Sequence, residues 1–164
     1  MARITPEEAG GKNVVALLDA IKVSELGPRI IAGSDDGYNV LVGSTPTHIL
    51  TFPSYASHPN ILNRETNSTA AGAYQLLHRY YSPYASLLHL TDFSPLSQDR
   101  IAIQQIKEDG AFKLIQDGKL VAALDRINRT WASLPGSKYG QHTNTVAYLA
   151  SAYTAAGGLI CVGG

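Results

Sequence analysis

The chain has 164 residues, of which 45% are hydrophobic, so it is long enough for one domain with a core of its own. Its 13 basic and 13 acidic side chains balance, which argues against a partner such as nucleic acid that requires a basic surface. The single cysteine, Cys161, excludes an intramolecular disulfide and a cysteine zinc cluster.

The N-terminal residues 1–13 are polar and do not resemble a signal peptide, and the apolar run that follows is interrupted by Asp19 and Lys22. No run in the chain approaches the roughly 20 apolar residues that are needed to cross a bilayer. The sequence therefore predicts a protein made in a cytoplasm, with no export route of its own and no stable membrane binding.

Residues 13–25 are predicted to form the first long helix. Apolar residues recur on one face of it, at Val14, Leu17, Leu18 and Ile21. Glu25 continues this face one turn further on, and Gly27 and Pro28 end the helix just beyond it. The pattern predicts that a carboxyl group stands at the end of a buried helix face.

Two interpretations of Glu25 follow from its position. A glutamate at the end of an apolar face usually turns its carboxylate to water. The alternative is a carboxyl held in a partly dry cleft, where its pKa is raised and it serves as a general acid. Such an acid suits cleavage of an acetal bond, because the leaving oxygen must be protonated.

A small hairpin is predicted next. Asp35, Asp36 and Gly37 form a turn, residues 38–42 form a short strand, and residues 48–52 form the returning strand after a second turn at Gly43-Ser44. The two aspartates are also candidates for the second carboxylate that a glycosidase normally needs, with Thr45 further on. The alternative is that they only form the turn, which Asp-Asp-Gly suits well.

Residues 53–69 are rich in turn formers and are predicted to be a loop. Residues 70–90 return to a helical pattern with many aromatic residues, and a break or kink is expected at Pro83. The tyrosines of this pattern either pack in the core with their hydroxyls in contact with water, or line a sugar cleft, where aromatic rings stack on pyranose faces.

The C-terminal part of the sequence predicts further helices. One begins after the N-cap Ser94 and ends at Gly110, and others are expected at residues 111–116, 119–132 and 143–156. One helix, a hairpin and then mostly helices indicate an α+β fold with a helical majority. The five histidines show no metal-ligand spacing, and no phosphate loop or G-x-S-x-G motif is present, so we expect no metal and no cofactor.

Three segments of the sequence are not generic. "STAAGAYQLL" (68–77), "DFSPLSQD…AIQQIKEDGA" (92–111) and "WASLPGSKYGQ" (131–141) closely resemble the phage lambda endolysin family, the lambda-type lytic transglycosylases. The shorter motifs "LLDAIKVSE", "GYNVLVG" and "YASHPN" occur in the same order, so the resemblance covers about residues 14–141. It implies a single lysozyme-like catalytic domain over residues 1–164, with a mostly helical lobe, a small β-hairpin lobe and the active-site cleft between them.

The resemblance also implies an activity. Enzymes of this family cut the β-1,4 bond between N-acetylmuramic acid and N-acetylglucosamine in peptidoglycan and leave a 1,6-anhydromuramoyl end. The glutamate after Ser in the first helix is their catalytic acid, and Glu25 in "VSEL" matches it. The family's usual Gly-Thr after this glutamate is Leu26-Gly27 here, so the local turn differs.

The same resemblance predicts substrate-binding positions, which are Tyr38, Ser68, Tyr74, Gln75, Tyr139 and Gln141. Tyr74 and Gln75 resemble a helix start in the cleft, and Tyr139 and Gln141 resemble the opposite wall. Packing and capping are the alternative roles for these residues. Asn39 stands where the lambda enzyme has an acidic residue, which excludes an obligatory second carboxylate there.

The partners implied by the family are peptidoglycan glycan strands and a separate holin-like protein. The enzyme is expected to be a monomer that stays in the host cytoplasm until the membrane is permeabilised and then acts in the periplasm. One alternative is a hydrolytic muramidase of the phage T4 type, although its aspartate position falls on Ser34 and Asp35 lies one step late. Another is a peptidoglycan-binding module without catalysis, against which the matching Glu25 argues.

Overall fold

The computed structural model describes residues 1–139 and 142–163. In this part of the chain the protein forms eight helices, while extended segments pair only through isolated bridges. The helices are α1 (Pro6–Ala9), α2 (Lys12–Leu26), α3 (Pro28–Ala32), α4 (His78–Leu88), α5 (Pro95–Glu108), α6 (Phe112–Gln116), α7 (Leu120–Ile127) and α8 (Val146–Ala155). Over the described residues, we find no helix with the length and apolar character that a bilayer crossing requires.

The chain divides into two compact units. Unit 1 contains Met1–Glu25 and Ala102–Gly164, and unit 2 contains Leu26–Ile101. The segments predicted to form the hairpin therefore belong to unit 2. Unit 2 has its own apolar cluster, which consists of Phe52, Ala71, Leu76, Phe93 and Ile101.

The predicted first helix is present as α2, and it is more deeply buried than its apolar face alone indicates. Every residue from Val14 to Lys22 is buried, including Asp19 and Lys22. Lys22 Nζ lies 3.5 Å from Asp19 Oδ1, so the two buried charges form an ion pair. The helix is therefore surrounded over this stretch, and its C-terminal end is where side chains become partly exposed again.

The predicted hairpin is reduced to isolated bridges. Val40 pairs with Thr51, and two backbone hydrogen bonds join the segments, from the N–H of Leu41 to Leu50 O at 2.8 Å and from that of Phe52 to Asn39 O at 2.9 Å. The Ser44 hydroxyl takes the place of further ladder bonds. It donates to Leu41 O at 2.8 Å and accepts from the N–H of Leu50 at 2.9 Å. The predicted β lobe is thus unconfirmed, since the described residues contain no continuous strand.

The helix predicted over residues 70–90 begins only at His78, as α4. Residues 71–76 instead form a tight turn closed by a bridge between Ala71 and Leu76. Gly72 and Gln75 have φ values of 84° and 51°, which an α-helix cannot contain. Gln98 stabilises this turn because its Oε1 accepts from the Ala73 N–H at 2.9 Å. Of the break or kink expected at Pro83, a break is absent, since α4 continues through it.

The C-terminal helices agree with the prediction. α5 begins at Pro95 after Ser94, whose hydroxyl accepts from the N–H of Ser97 at 3.3 Å. α6, α7 and α8 lie within the predicted ranges, and α7 is shorter than expected. Two short helices were not predicted, α1 and α3, and both begin at a proline.

Candidate active site

Glu25 is the penultimate residue of α2 and is partly buried. The helix ends there because Gly27 has a φ of 79°, in the left-handed region that favours glycine. Pro28 then begins α3 as its first residue. This stop leaves the Glu25 side chain in the last turn of a buried helix, where it is partly removed from solvent.

The Glu25 carboxyl is held by Ser133, which is 108 residues further along the chain. The Ser133 hydroxyl donates to Glu25 Oε1 at 3.1 Å, and a second hydrogen bond comes from the Ser133 backbone. Burial raises the pKa of Glu25 from 4.5 to about 7, and the two bonds from Ser133 oppose this rise. The carboxyl therefore exchanges its proton near neutral pH, as a general acid requires.

Ser133 belongs to a small hydrogen-bonded cluster with Ser24 and Asn144. The hydroxyls of Ser24 and Ser133 lie 2.8 Å apart. The Asn144 side-chain amide donates to Ser24 Oγ at 3.0 Å and to the Ser24 carbonyl at 3.2 Å. The Asn144 backbone N–H donates to Ser133 O at 2.8 Å. Because these bonds join three distant segments of unit 1, the surroundings of Glu25 are held in one arrangement.

The segment that carries Ser133 is anchored by its neighbours. Trp131 and Leu134, which flank it, are both buried. The Asn128 side-chain amide donates to Pro135 O at 3.0 Å and stabilises the turn that follows. The Ser133 hydroxyl is therefore presented to Glu25 from a well-packed turn.

Tyr38 and Tyr74 come together in unit 2, as buried residues. Their exposed fractions are 0% and 5%, and their rings meet edge to face with centroids 6.4 Å apart. Both hydroxyls donate to Asp99 Oδ1, at 2.8 Å from Tyr38 and 2.6 Å from Tyr74. Burial and the adjacent Asp99 raise the pKa of Tyr74 well above its usual value. Both rings are thus packed inside unit 2, and a role toward substrate stays a prediction for them.

Ser68 and Gln75 both serve the turns of unit 2. Ser68 forms a bridge with Asn63, and its hydroxyl accepts from the N–H of Ala70 at 3.1 Å. The Gln75 amide donates to Gly72 O at 2.9 Å, within the tight turn that precedes α4. Both side chains remain partly exposed, so a role toward substrate stays a prediction for them.

Tyr139 is the exposed aromatic residue among the predicted site residues. Its exposed fraction is 61%, while its hydroxyl donates to Arg129 O at 2.8 Å. Arg129 is in turn fixed by Asp109, whose Oδ1 lies 2.8 Å from Arg129 Nε. The side chain is therefore held at its tip and otherwise largely exposed. The predicted partner Gln141 lies outside the described residues.

The two candidate second carboxylates occupy the predicted turn. Asp36 has a φ of 50° and Gly37 one of 88°. Asp35 accepts a hydrogen bond from the Tyr55 hydroxyl at 2.6 Å, and its N–H donates to Asn39 Oδ1 at 2.9 Å. Thr45 makes the turn with His48, whose N–H donates to its hydroxyl at 3.1 Å. Asp36 and Thr45 are thus turn residues, while the Asp35 carboxylate is also held by Tyr55 from outside the turn.

His58 is the buried histidine of unit 2. Its Nε2 lies 2.7 Å from Leu76 O, and its Nδ1 accepts from the N–H of Asn60 at 3.1 Å. This pattern fits a neutral ring, and burial lowers the pKa of His58 below 6.5. Within residues 1–139 and 142–163, no three His, Cys, Asp or Glu side chains are grouped in a way that would hold a metal ion.

Sequence reasoning missed Ser24, Ser133, Asn144 and Asp99. A signal for Asp99 was available, because Ala102, Ile103 and Ile106 follow it at helical spacing and all are buried. It is the same pattern of an acid on an apolar face that singled out Glu25. Ser24 precedes Glu25 and Ser133 lies in segment 131–141, but no local pattern indicated a role for them or for Asn144, because the hydrogen bonds among the three form only in the tertiary structure.

Comparisons with known proteins place the chain among phage lytic proteins. The sequence model of the family described as Endolysin matches residues 15–160. The endolysin of Escherichia phage lambda is 44% identical over 127 residues, which cover 76% of this chain and 77% of the relative. The endolysin of Escherichia phage P2 is 38% identical over 156 residues, with coverages of 90% and 94%.

Solved structures give the same result. Bacteriophage lambda lysozyme complexed with a chitohexasaccharide matches with a TM-score of 0.80 at 38% identity, covering 98% of this chain and 100% of that one. Lysozyme from bacteriophage lambda matches with a TM-score of 0.78 at the same identity and coverage. The resemblance seen in the sequence is confirmed, and the fold is lysozyme-like.

Proposed function

Because this chain belongs to the endolysin family, we propose that it acts on peptidoglycan as a lytic transglycosylase. The bond cut is the β-1,4 bond between N-acetylmuramic acid and N-acetylglucosamine, and the product carries a 1,6-anhydromuramoyl end. The chitohexasaccharide bound by the related lambda lysozyme supports a glycan strand as substrate. We propose that the chain acts as a single catalytic domain and as a monomer.

The observation that carries this proposal is the state of Glu25. Its carboxyl is partly buried, its pKa is raised to about 7, and its Oε1 accepts the Ser133 hydroxyl. In neutral solution an appreciable fraction of this group holds a proton, which an ordinary glutamate does not. Glu25 donates that proton to the glycosidic oxygen as positive charge develops on the anomeric carbon.

The second step needs no activated water. The C6 hydroxyl of the muramic acid residue attacks C1 of the same sugar, and the Glu25 carboxylate accepts the hydroxyl proton. The nucleophile is part of the substrate, so proximity replaces a second catalytic group. The Asp35 carboxylate is held by the Tyr55 hydroxyl, and Asp36 has a turn conformation. Together with the amide Asn39 at the position that is acidic in lambda, these observations support a mechanism with one carboxyl.

The substrate-binding residues divide by exposure. Tyr139 is a largely exposed aromatic residue in the same unit as Glu25, which suits stacking on a sugar ring. Gln141 remains proposed from its place in the family motif. Tyr38 and Tyr74 are buried on Asp99, so we propose that they support unit 2 from within, with Ser68 and Gln75 at its surface turns.

The chemical structure of the glycan ends after digestion distinguishes a transglycosylase from a hydrolase. Purified peptidoglycan would be digested with the protein, and the soluble fragments analysed by mass spectrometry beside a digest from a hydrolytic muramidase. We expect fragments that are lighter by one water, with no new reducing ends. If the number of new reducing ends equalled the number of cleaved bonds, the enzyme would be a hydrolase of the T4 type. Glu25→Gln, analysed in parallel, should release neither product.

We also propose that the enzyme stays in the host cytoplasm until a separate holin-like protein opens the membrane, and then acts in the periplasm. A folded domain cannot cross intact lipid, while the substrate lies beyond it. Expression of this chain alone should leave cells intact, and chloroform should then cause rapid lysis that Glu25→Gln does not cause. Spontaneous lysis that stops when host secretion is blocked would contradict this route.

A further inference from the structure

We propose that Asn144, Ser24 and Ser133 form a hydrogen-bond chain with one direction, which ends on Oε1 of Glu25 and leaves Oε2 to carry the catalytic proton. The three are positioning residues, since they act through Glu25. The inference rests on the proposed function of Glu25 as the general acid. All four residues belong to unit 1.

The direction of the chain is set at Asn144. Its side-chain nitrogen lies 3.2 Å from the Ser24 carbonyl oxygen, which can only accept. The atom facing Ser24 is therefore the NH₂ group of the amide, and the same group lies 3.0 Å from Ser24 Oγ. Asn144 thus donates to the Ser24 hydroxyl, and the backbone bond from Asn144 to Ser133 O at 2.8 Å holds it in place.

The two serines transmit this direction. Ser24 is 8% exposed, and Ser133 Oγ, at 2.8 Å, is the acceptor that the structure provides for its proton. The Ser133 proton is then free to point at Glu25 Oε1, at 3.1 Å. In the reverse direction, Glu25 would donate to Ser133 and Ser133 to Ser24, and the buried Ser24 hydroxyl would lose its acceptor.

The consequence for Glu25 is that its two carboxyl oxygens have different roles. Oε1 accepts the Ser133 hydroxyl whether or not the carboxyl is protonated, so the proton resides on Oε2. The carboxyl need not rotate between donating a proton to the leaving oxygen and accepting one from the C6 hydroxyl. The chain also strengthens each bond that follows, because a hydroxyl that accepts becomes a better donor.

Titration of Glu25 tests the chain without depending on activity. The carboxyl carbon of Glu25 would be followed by ¹³C NMR against pH in the wild type, Ser133→Ala, Ser133→Thr and Ser24→Ala. Ser151→Ala, an exposed serine of α8, is the matched control. Ser133→Ala should raise the pKa of Glu25 by about one unit, because a hydrogen bond to the charged form is lost. Ser133→Thr, which keeps the hydroxyl, should restore the wild-type value.

The sign of the Ser24→Ala shift decides the direction of the chain. If Ser24 donates to Ser133, its loss weakens the Ser133 donor, and the pKa of Glu25 rises by a smaller amount than in Ser133→Ala. If Ser133 donates to Ser24, the substitution frees Ser133 for Glu25, and the pKa falls. A fall would overturn the proposal, and so would an unchanged pKa in both alanine variants whose spectra show a folded protein.

Activity measurements then separate this inference from the proposed function. The alkaline limb of kcat/KM should move upward in Ser133→Ala by the same amount as the NMR titration, and Ser133→Thr should restore it. A loss of activity without a moved limb in Ser133→Ala would overturn the positioning role. If Glu25→Gln remained active, the proposed function would fail, while the NMR shifts would still decide the direction of the chain.

Discussion

Glu25→Gln should make the protein more stable at alkaline pH while removing its activity. The pKa of Glu25 in the folded protein is about 7, against 4.5 for an ordinary glutamate, so the charged form opposes folding. The difference corresponds to at most about 3 kcal/mol of unfolding free energy. Glutamine has the shape of the protonated acid and can accept the same hydrogen bonds from Ser133, but it carries no charge.

The sign of the pH dependence follows from the raised pKa. The stability that protonated Glu25 contributes is fully present below 4.5 and is lost as pH rises toward the folded value of about 7. Wild type and variant should therefore be equally stable at acidic pH and diverge above it. By about pH 9 the variant should melt up to roughly 6 to 12 °C higher, given about 2 to 4 °C per kcal/mol for a chain of this length.

The assay combines urea unfolding with turnover on permeabilised Gram-negative cells. Unfolding free energies would be measured at about pH 4.5 and pH 9 for both proteins, and initial lysis rates at neutral pH. The rate of Glu25→Gln should fall about a hundredfold or more, because the general acid is gone. Equal stability at both pH values would refute the buried, proton-holding carboxyl. More than about a tenth of the wild-type rate would show that Glu25 is not the acid.

Four further substitutions test the supporting structure. Tyr74→Phe removes one of the two hydroxyls that donate to buried Asp99, and it should lower the unfolding free energy by about 1 to 3 kcal/mol in urea titrations. Asp35→Asn and Asp36→Asn should each keep most of kcat/KM on peptidoglycan, because both residues serve a turn. His58→Gln should reduce the loss of stability between about pH 7 and pH 5. The pKa of His58 is lowered by burial, so its contribution is present above the ordinary value of 6.5 and is lost as pH falls through the folded value.

The substitutions of Tyr74 and His58 each have a matched control on the surface. Tyr80→Phe alters an exposed tyrosine of α4 and should leave stability unchanged, in contrast to Tyr74→Phe. His142→Gln alters an exposed histidine and should keep the acid dependence of the wild type. A folded Asp35→Asn with a loss as large as that of Glu25→Gln would favour the hydrolytic mechanism instead.

Much of the helical framework could be predicted from local pattern. The apolar spacing of α2, the Ser94-Pro95 start of α5 and the glycines after α8 are short-range signals, and the helices follow them. The hairpin and the start of α4 could not be predicted in the same way. Side chains that are distant or irregularly spaced decide them, such as Gln98 on the turn at Ala73 and Ser44 between two extended segments.

The same distinction between local sequence pattern and tertiary contacts applies to the candidate site. The sequence by itself determined that a carboxyl, Glu25, ends a buried helix, because helical periodicity and a Gly-Pro stop are properties of neighbouring residues. Only the tertiary structure decided that the carboxyl is proton-holding and that Ser133, with Ser24 and Asn144 behind it, supplies its hydrogen bond. It also decided that Tyr38 and Tyr74 point into the core of unit 2. Burial and hydrogen bonding between segments 108 residues apart depend on how the chain packs, and the local periodicity of the sequence contains no information about that packing.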